Sequence, residues 1–488
     1  MTGPATTSSL PGRRDLLPTL PGLITYPDSL GGDLASIARL LGGPLAGAFA
    51  SVHVLPPFPA SGDRGFAVTD HSRIDPRFGG WSELAAIGRH AAVVLDLIAN
   101  HVGRQDPMFQ DFLALGTGSP FAPLFLRVAR VFPNGPSYSE FSAIFRRRTN
   151  PFSTFEVGPH GEPVELWTTF GRGEPSDMID LDLAAPETRH RLRGDLERFA
   201  ANGVRGVRLD AVAFTTKVAG TSCFMAEPAW SEIMGWFEST AGELGLDLIG
   251  EVHAPRPVLD DLARWSRPYD FAFPTLCLEA LTSGEGDLLA TYLPTMQPGW
   301  ITTLDSHDGI PVQPDLDGTI PLPRLRAFCD AGTAAGGRTT TLVSTTGRPD
   351  PTFAAHQLCV SLIDLLGSED ALFAARALQL WAPGLPQVYY QGLLGGRNDH
   401  AAVEATGDSR SVNRHDYPWA ELDAALGSPF ARRMLELLRA RMSSDAFTGP
   451  LVVESRPGWL RLSRSAARAR AVLDVDLRER RARIDITG

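Results

Sequence analysis

The chain has 488 residues, of which 43% are hydrophobic and 21% charged, and a net charge of −11 at pH 7. These fractions are typical of folded globular proteins, and the negative charge argues against broad nucleic-acid binding, which needs a surface that attracts phosphates. No apolar stretch reaches the roughly 18 residues of a membrane helix, and the N-terminal segment lacks an apolar signal-peptide core. We therefore expect a cytoplasmic protein without nucleic-acid or membrane partners.

The cysteines give a second indication of the compartment. Cys223, Cys277, Cys329 and Cys359 lie far apart and lack the spacing of metal ligands. This arrangement fits a reducing compartment better than a disulfide framework. We expect structural thiols.

Short apolar runs alternate with longer helical patterns along most of the chain. One helical pattern places Trp230, Ile233, Met234 and Phe237 at i, i+3, i+4 and i+7, which indicates a helix packed on a core. Because strands that alternate with helices form parallel sheets, the pattern predicts a (β/α)8 TIM barrel. The predicted strands are residues 23–26, 50–55, 91–98, 203–210, 246–252, 269–273, 300–305 and 386–390.

Two connections between predicted strands are too long for simple crossovers, and loops of such length are usually functional. Both follow strands, so we expect them on the C-terminal face of the barrel, where active sites of this fold lie. From residue 447 short alternating segments predict a small antiparallel β-domain. The predicted organisation is barrel over 1–101, an inserted domain over 102–182, barrel over 183–309, a second insertion over 310–371, the end of the barrel over 372–446 and the β-domain over 447–488.

Polar residues follow or end several of the predicted strands. A barrel brings the C-terminal ends of its strands around one axial pocket, where groups from different strands act on one substrate. The sequence therefore predicts one site built from several strands. Its candidate members are Asp96, Asn100, His101, Arg208, Asp210, Glu251, His253, His307 and Asp308.

Three of these carboxylates suit glycoside chemistry, whose transition state is an oxocarbenium ion and whose leaving oxygen needs a proton. Asp210 is predicted to attack the anomeric carbon, and Glu251 to donate the proton. Arg208, two residues before Asp210 on the same strand face, orients that carboxylate and keeps it ionised. Asp308 is predicted to bind sugar hydroxyls and to stabilise the developing positive charge. The pattern thus predicts a retaining enzyme that acts on α-glucosides.

Four ordered motifs carry a resemblance to a known family: DLIANH at 96–101, GVRLDAVAF at 206–214, GEVH at 250–253 and LDSHDG at 304–309. With them, the chain resembles the α-amylase superfamily, glycoside hydrolase family 13. Further segments, among them DRGFAVTDH, AGTSCFM, PQVYYQGLLGGRND and VNRH, make it most similar to the sucrose phosphorylase subfamily. The resemblance covers nearly the whole chain.

The resemblance implies a site for a single glucose unit and transfer to phosphate through a β-glucosyl enzyme. It implies that Asp63 and Arg414 hold the far hydroxyl edge of the glucose and that Phe66 packs beneath its ring. Polar clamps and an apolar plate suit a sugar with polar edges and a C–H face. No metal and no cofactor are implied. The remaining contacts that the resemblance implies are His101 and His307 to other hydroxyls, and Gln357 and His253 toward the acceptor.

The acceptor side departs from the sucrose phosphorylase pattern. The segment FRRRTNPF supplies Arg146, Arg147 and Arg148 in the first insertion. Where our alignment of sucrose phosphorylases has Pro, Asp and Tyr, this chain has Arg147, Ala354 and His356. One acidic group is lost and two cations are gained, which favours an acceptor with an extra phosphate. Phe214, where those enzymes have Tyr, removes a hydroxyl nearby. The pattern is similar to that of sucrose 6-phosphate phosphorylases, whose substrates are sucrose 6-phosphate, inorganic phosphate, glucose 1-phosphate and fructose 6-phosphate.

Two other interpretations stay open on sequence alone. The first is a plain sucrose phosphorylase, or a relative that uses glycerol or glycerate as acceptor, which activity with fructose and fructose 6-phosphate would separate. The second is a non-catalytic, amylase-like interaction protein. Such proteins lose the carboxylates or gain a membrane anchor, whereas Asp210, Glu251 and Asp308 are all present here.

Overall fold

A computed structural model describes residues 17–312, 318–343 and 353–488. The N-terminal segment and parts of the second predicted insertion, residues 313–317 and 344–352, lie outside the described residues. Eight parallel strands form the centre of the fold, and they follow the predicted runs in order. They are β1 Gly22–Thr25, β2 Ser51–Val54, β3 Ala92–Ile98, β4 Val204–Asp210, β5 Asp247–Gly250, β6 Arg267–Pro268, β7 Ile301–Thr302 and β8 Leu385–Tyr389.

The strands pair in the order β6-β5-β4-β3-β2-β1-β8-β7. A parallel bridge between Tyr269 and Ile301 then joins β6 to β7 and closes the sheet. Such strands are covered on both faces, which explains their continuous apolar sequences. Gly206 in β4 is required by this packing, because a Cβ atom there would lie 2.7 Å from Leu17 and 3.0 Å from Val94. The predicted (β/α)8 barrel is confirmed.

The sixth strand differs from its prediction. Residues 269–273 were expected to form it, but β6 is shorter and earlier, and a helix spans Ala272–Ser283. The Asp270 carboxylate accepts a hydrogen bond from the backbone N–H of Phe273 at 3.1 Å. This contact satisfies a donor of the first helical turn and ends the extended segment.

Helices surround the barrel. Several begin at a capping side chain; for example, Asp33 accepts from the N–H of Ser36 at 2.7 Å. None of the helices in the described ranges is long and apolar enough to cross a membrane. The helices outside the insertions are Leu34–Leu41, Trp81–Gly88, Pro186–Ala201, Ala229–Leu244, Arg256–Leu262, Ala272–Ser283, Asp287–Tyr292, Leu362–Leu366, Glu369–Trp381, Tyr390–Leu394, His400–Thr406, Trp419–Leu426 and Pro429–Ser443.

Two additional structures stand between barrel strands. The first, between β3 and β4, contains an antiparallel pair, His101–Gly103 with Met178–Asp180, and a hairpin, Phe152–Val157 with Glu162–Trp167. The second follows β7 as a three-stranded antiparallel sheet and one helix. The other elements are helices Pro107–Leu115, Val128–Val131 and Tyr138–Ala143 in the first structure, and strands Ile310–Pro311, Arg338–Thr341 and Ala355–Cys359 and helix Leu322–Ala334 in the second.

The chain ends in a four-stranded antiparallel sheet, as predicted. Alternate residues of its central strands are buried, which matches the period of two in the sequence. The sheet packs on helix Glu369–Trp381 of the barrel. Its strands are β9 Leu451–Arg456, β10 Trp459–Ala466, β11 Ala469–Asp476 and β12 Arg481–Thr487.

Candidate active site

The C-terminal ends of the barrel strands open into a cavity of about 780 Å³. Both insertions and the long connection after β8 form its walls. Arg208 lies beneath the cavity floor, and Asp96 and Asn100, also predicted members of the site, are buried at the end of β3 outside the cavity lining. The predicted residues that line the cavity itself are Asp63, Phe66, His101, Arg147, Arg148, Asp210, Phe214, Glu251, His253, His307, Asp308, His356, Gln357 and Arg414.

Arg208 contacts both predicted catalytic carboxylates. Its Nη1 donates to Oδ1 of Asp210 at 2.9 Å, and its Nη2 lies 2.8 Å from Oε1 of Glu251. The same guanidinium also donates to the carboxylate of Asp96 on β3. The other oxygen of that carboxylate lies 2.8 Å from Nε2 of His53 on β2. All these groups are buried or nearly so. The floor of the site is therefore a charge network built from four adjacent strands.

A backbone contact links the ends of β4 and β5. The N–H of Ala211 donates to Oε2 of Glu251 at 3.0 Å. Ala211 has a φ of 49°, in the left-handed region that residues other than glycine rarely adopt. The strained turn directly after Asp210 thus helps to orient Glu251, which fits the concentration of such strain at functional sites.

Asp210 and Glu251 titrate as a coupled pair. Burial, followed by the charge of Glu251, raises the pKa of Asp210 well above its usual range. Burial also opposes ionisation of Glu251, but the Arg208 guanidinium together with His253 outweighs it, and the pKa of Glu251 falls to about 2. These directions are the reverse of the roles expected from the sequence, in which Asp210 is ionised and Glu251 carries the proton.

An aromatic plate stands beside the carboxylates. The Phe66 ring stacks on the imidazole of His307 with centroids 4.9 Å apart and an interplanar angle of 2°. Burial lowers the pKa of His307 to about 3, so this ring is neutral. His101 Nε2 lies 3.2 Å from the carbonyl of Phe66, and burial lowers the pKa of His101 as well. A neutral imidazole has one N–H donor and one acceptor nitrogen, so both histidines can form hydrogen bonds with the hydroxyl groups of a polyhydroxy ligand.

Arg414 donates through Nε to the His307 carbonyl at 2.8 Å. Its Nη2 is buried and has no hydrogen-bond partner among the described residues. It lies 3.8 Å from Oδ1 of Asp308. Burial opposes ionisation of Asp308, but His307, Arg410 and Arg414 hold its pKa well below its usual range.

Arg410 is a member of the site that sequence reasoning missed. Its guanidinium donates to Asp63 and, at 2.9 Å, to Asp408. It also reaches Asp308 at 3.5 Å. The only sequence signal for this role is a position four residues before Arg414, in the same segment.

Lys217, the only lysine in the sequence, was also missed. Its ammonium donates to the Phe214 carbonyl, lies 3.1 Å from Asp180 in the inserted structure, and is 3.5 Å from Oδ1 of Asn100. The side chain is buried, 3% exposed. Lys217 therefore ties the first insertion to the ends of β3 and β4.

Aromatic rings from the first insertion and from the turn after β4 form one wall of the cavity. The Phe214 ring contacts Phe224 at 4.9 Å and Phe170 at 5.1 Å between centroids. His253 stacks on Phe271 at 4.0 Å and lies 5.1 Å from the ring of His356. The cavity thus has an apolar wall as well as imidazoles in its lining.

Arginines from the first insertion stand above this wall. The Arg147 guanidinium lies 6.0 Å from the Phe170 ring. The guanidinium of Arg148 donates to Oγ1 of Thr168 at 2.7 Å and to the Gly173 carbonyl at 2.6 Å within the insertion. Both arginines line the cavity, and Arg148 also holds the loop.

Metal-ligand geometry is not found at this site. Throughout residues 17–312, 318–343 and 353–488, no group of three or more His, Cys, Asp or Glu side chains is arranged to hold a metal ion. All four cysteines are free and buried, and burial raises the pKa of each thiol. These properties are typical of thiols with a structural role.

Comparison with known proteins shows the family of this chain. No family model matches the chain. The sucrose 6(F)-phosphate phosphorylase of Thermoanaerobacterium thermosaccharolyticum is 39% identical over 467 residues, which cover 95% of this chain and 96% of that one. The sucrose phosphorylase of Agrobacterium vitis is 37% identical over 481 residues, 96% of each chain. This chain belongs to the sucrose phosphorylase family.

A solved structure from the sucrose phosphorylase family agrees with the fold. The crystal structure of the sucrose 6F-phosphate phosphorylase from Thermoanaerobacter thermosaccharolyticum superimposes on this structure with a TM-score of 0.93. The two chains are 38% identical, and the superposition covers 96% of each. In the present family member, the cavity lining has two chemically different groups of residues. Around Phe66 and Arg414, carboxylates and arginines neutralise one another, which suits an uncharged polyhydroxy ring. Around Arg147 and Phe214, cations border an apolar wall, which suits an anionic group on a compact organic ligand.

Proposed function

We propose that this chain is a retaining glucosyl phosphorylase that reversibly converts sucrose 6-phosphate, with the phosphate on fructose, and inorganic phosphate to α-glucose 1-phosphate and fructose 6-phosphate. The observation that carries the proposal is that Arg147 and His356 line the same cavity as Asp210 and Glu251, with the His356 ring 5.1 Å from that of His253, whose Nε2 lies 3.8 Å from Glu251. The name of the 39% identical relative supports the same choice of substrate, whereas the name of the 37% identical relative corresponds to the alternative, a sucrose phosphorylase.

The first step forms a glucosyl enzyme. Asp210 attacks the anomeric carbon of the glucose unit, while the bond to the fructosyl oxygen breaks and Glu251 protonates that oxygen. The developing positive charge on the sugar is stabilised by Asp210 and by the ionised Asp308. Arg208 orients Asp210 from below through its 2.9 Å hydrogen bond.

This step requires Glu251 to carry a proton and Asp210 to be ionised, opposite to the directions in which their pKa values are shifted. A bound donor excludes water from Glu251, which raises its pKa. An anionic phosphate on the acceptor raises it further, because it disfavours a second negative charge nearby. We therefore propose that a bound substrate favours the protonated form of Glu251, while Arg208 contacts both carboxylates.

The second step releases the product. Inorganic phosphate replaces fructose 6-phosphate, one of its oxygens attacks the anomeric carbon, and the bond to Asp210 breaks. Glu251 takes back the proton from the attacking phosphate. Two inversions at one carbon restore the α configuration.

The glucose unit is proposed to bind between Phe66 beneath its ring and the polar groups around it. The buried, unpartnered Nη2 of Arg414 supports a hydrogen bond to the far edge of the sugar, shared with Asp63. His101 and His307 are the proposed contacts of other hydroxyls, and their lowered pKa values keep them neutral.

The phosphate of the acceptor is proposed to bind Arg147 and His356, with His253 and Gln357 toward the fructose ring. Arg forms bidentate hydrogen bonds with phosphate, and the side chain of Ala354 adds no negative charge. Arg148 also lines the cavity while it contacts Thr168 and Gly173, so we propose it as a second cation for the phosphate.

The cellular setting follows from the substrates and the thiols. Phosphorylated sugars occur inside cells, and four free buried cysteines fit a reducing compartment, so we propose a cytoplasmic enzyme that acts on small molecules without a cofactor. We also propose that residues 102–182 and 310–371 act as the two acceptor-side insertions and 447–488 as a separate β-domain.

The test is a panel of acceptors. The enzyme is incubated with α-glucose 1-phosphate and fructose 6-phosphate, fructose, glycerol or glycerate, and release of inorganic phosphate is measured. Fastest release with fructose 6-phosphate supports the proposal. Fastest release with fructose identifies a plain sucrose phosphorylase, and fastest release with glycerol or glycerate identifies one of the related phosphorylases.

A further inference from the structure

The guanidinium of Arg410 lies at the junction of three carboxylates from different parts of the chain. Nη2 donates to Asp63, in the turn after β2, and Nη1 lies 3.5 Å from Oδ1 of Asp308, after β7. Asp408 grips the same guanidinium from the other side, at 2.9 Å through Nη2 and 3.2 Å through Nε. Arg410 thus bridges Asp63 and Asp308, which belong to different strand ends of the barrel.

The turn that carries Asp63 needs external support. Asp63 and Arg64 have φ values of 45° and 51°, and residues other than glycine keep such values only when their surroundings hold them there. Arg64 is held by Asp28 at 3.1 Å and by the Arg414 carbonyl at 2.8 Å. The Asp63 carboxylate is held by the Arg410 guanidinium.

We propose that Arg410 is a positioning residue for the glucosyl half of the substrate. Its guanidinium fixes Asp63 and Asp308 relative to each other, so that both carboxylates contact the same sugar. The inference rests on the proposed glucosyl transfer and adds a residue to the site that performs it. Arg410 acts through the two carboxylates, and its contribution is independent of which acceptor binds.

An arginine suits this position for two reasons. Its planar fork presents several N–H donors in fixed directions, so it can bridge carboxylates that a lysine would contact only as a point charge. Its charge also separates Asp63, Asp308 and Asp408, which would otherwise repel one another in a buried space. Arg410 is among the groups that hold the pKa of Asp308 below its usual range.

The test compares Arg410→Ala and Arg410→Lys with the wild type, using α-glucosyl fluoride and α-glucose 1-phosphate as donors. We expect Arg410→Ala to lower kcat/KM for both donors by a similar factor, about tenfold to a hundredfold, because charge-assisted contacts to two substrate-binding groups are lost. KM for fructose 6-phosphate should change less than about twofold. The acid limb of the pH profile of kcat/KM should move to higher pH, because Asp308 becomes harder to ionise.

Arg410→Lys separates charge from geometry. Arg410→Lys should return the acid limb of the pH profile of kcat/KM to its wild-type position but recover little of the kcat/KM for the donors. If Arg410→Ala does not fold, the comparison of Arg410→Lys with the wild type is the test. Arg397→Ala is the control, since that exposed arginine pairs with Asp364 away from the cavity. Unchanged donor kinetics in Arg410→Ala, or full recovery in Arg410→Lys, would overturn the inference. A wild type that consumes neither donor would overturn the proposed glucosyl transfer itself.

Discussion

Arg208 donates to Asp210 at 2.9 Å from a position two residues earlier on the same strand. Side chains at i and i+2 of a strand lie on the same face, so β4 alone is enough to place a cation beside the predicted nucleophile. The second amino group of Arg208 then reaches Glu251 on the neighbouring strand. This one guanidinium therefore contacts both carboxylates that the proposed mechanism uses, and its charge favours the ionised form of each.

Asp210→Asn should abolish turnover while leaving the fold intact. The amide is nearly the same size and keeps a contact with Arg208, but it cannot form the glucosyl ester, so we expect a loss of at least about a thousandfold. Turnover of α-glucose 1-phosphate and thermal unfolding are the measurements. Asp423→Asn, on an exposed helix, is the control. Activity within tenfold of wild type would remove Asp210 from the nucleophile role.

Glu251→Ala should discriminate between leaving groups. General acid catalysis helps only when the departing oxygen needs a proton, so the loss with sucrose 6-phosphate should exceed the loss with α-glucosyl fluoride by about a hundredfold or more. Initial rates of glucosyl-enzyme formation with the two donors measure this difference. Equal losses with both would mean that Glu251 serves the site only through its contacts with Arg208 and Ala211.

The stereochemistry of the product tests the covalent route. Phosphorolysis should yield α-glucose 1-phosphate, because displacement by Asp210 and then by phosphate inverts the anomeric carbon twice. Proton NMR of the first product formed distinguishes the two anomers. Initial formation of β-glucose 1-phosphate would instead require a single displacement and would leave Asp210 without a nucleophilic role.

Asp96 should contribute to stability in a pH-dependent way. Burial opposes its ionisation, but His53 and Arg208 outweigh burial and lower its pKa from 3.8 to about 2. A lowered pKa stabilises the folded state above pH 4 and ceases to do so as the pH falls toward 2, a contribution of about 2 kcal/mol. The unfolding free energy of Asp96→Asn should therefore be about 2 kcal/mol lower than that of wild type at pH 7. In urea titrations this difference should begin to shrink below pH 4, whereas a constant difference would assign the effect to packing.

Much of the fold follows directly from sequence patterns, because buried parallel strands need continuous apolar residues and their polar ends converge on one pocket. The motif residues at the ends of β3, β4 and β5 were predictable for this reason. The end of β6 was not, since the apolar run at 269–273 suits a strand or a buried helix equally. The hydrogen bond from Phe273 to Asp270 decides between them only in the folded chain.

The arginines show where sequence reasoning ends. Arg146, Arg147 and Arg148 are consecutive and chemically identical, yet Arg147 and Arg148 line the cavity, whereas Arg146 lies on the Phe141 ring. Arg410 meets Asp63 across 347 residues of sequence. These residues come into contact only when the whole barrel closes, so no local sequence pattern predicts the contacts.

The acceptor preference of wild type and Arg147→Ala, measured with α-glucose 1-phosphate as donor, tests the central claim most directly. Wild type should use fructose 6-phosphate with a kcat/KM well over tenfold above that for fructose, because each charge-assisted hydrogen bond contributes roughly 1.5 to 3 kcal/mol. The margin should narrow at high salt. Arg146→Ala is the matched control, since its guanidinium lies on the Phe141 ring and donates to the Thr149 carbonyl.

Arg147→Ala should lower kcat/KM for fructose 6-phosphate by about tenfold or more and leave the value for fructose within about twofold, while Arg146→Ala changes neither acceptor's value by more than about twofold. A wild type that uses both acceptors equally, with Arg147→Ala lowering both by the same factor, would contradict the account. Arg147 would then bind only the inorganic phosphate that every such acceptor reaction releases.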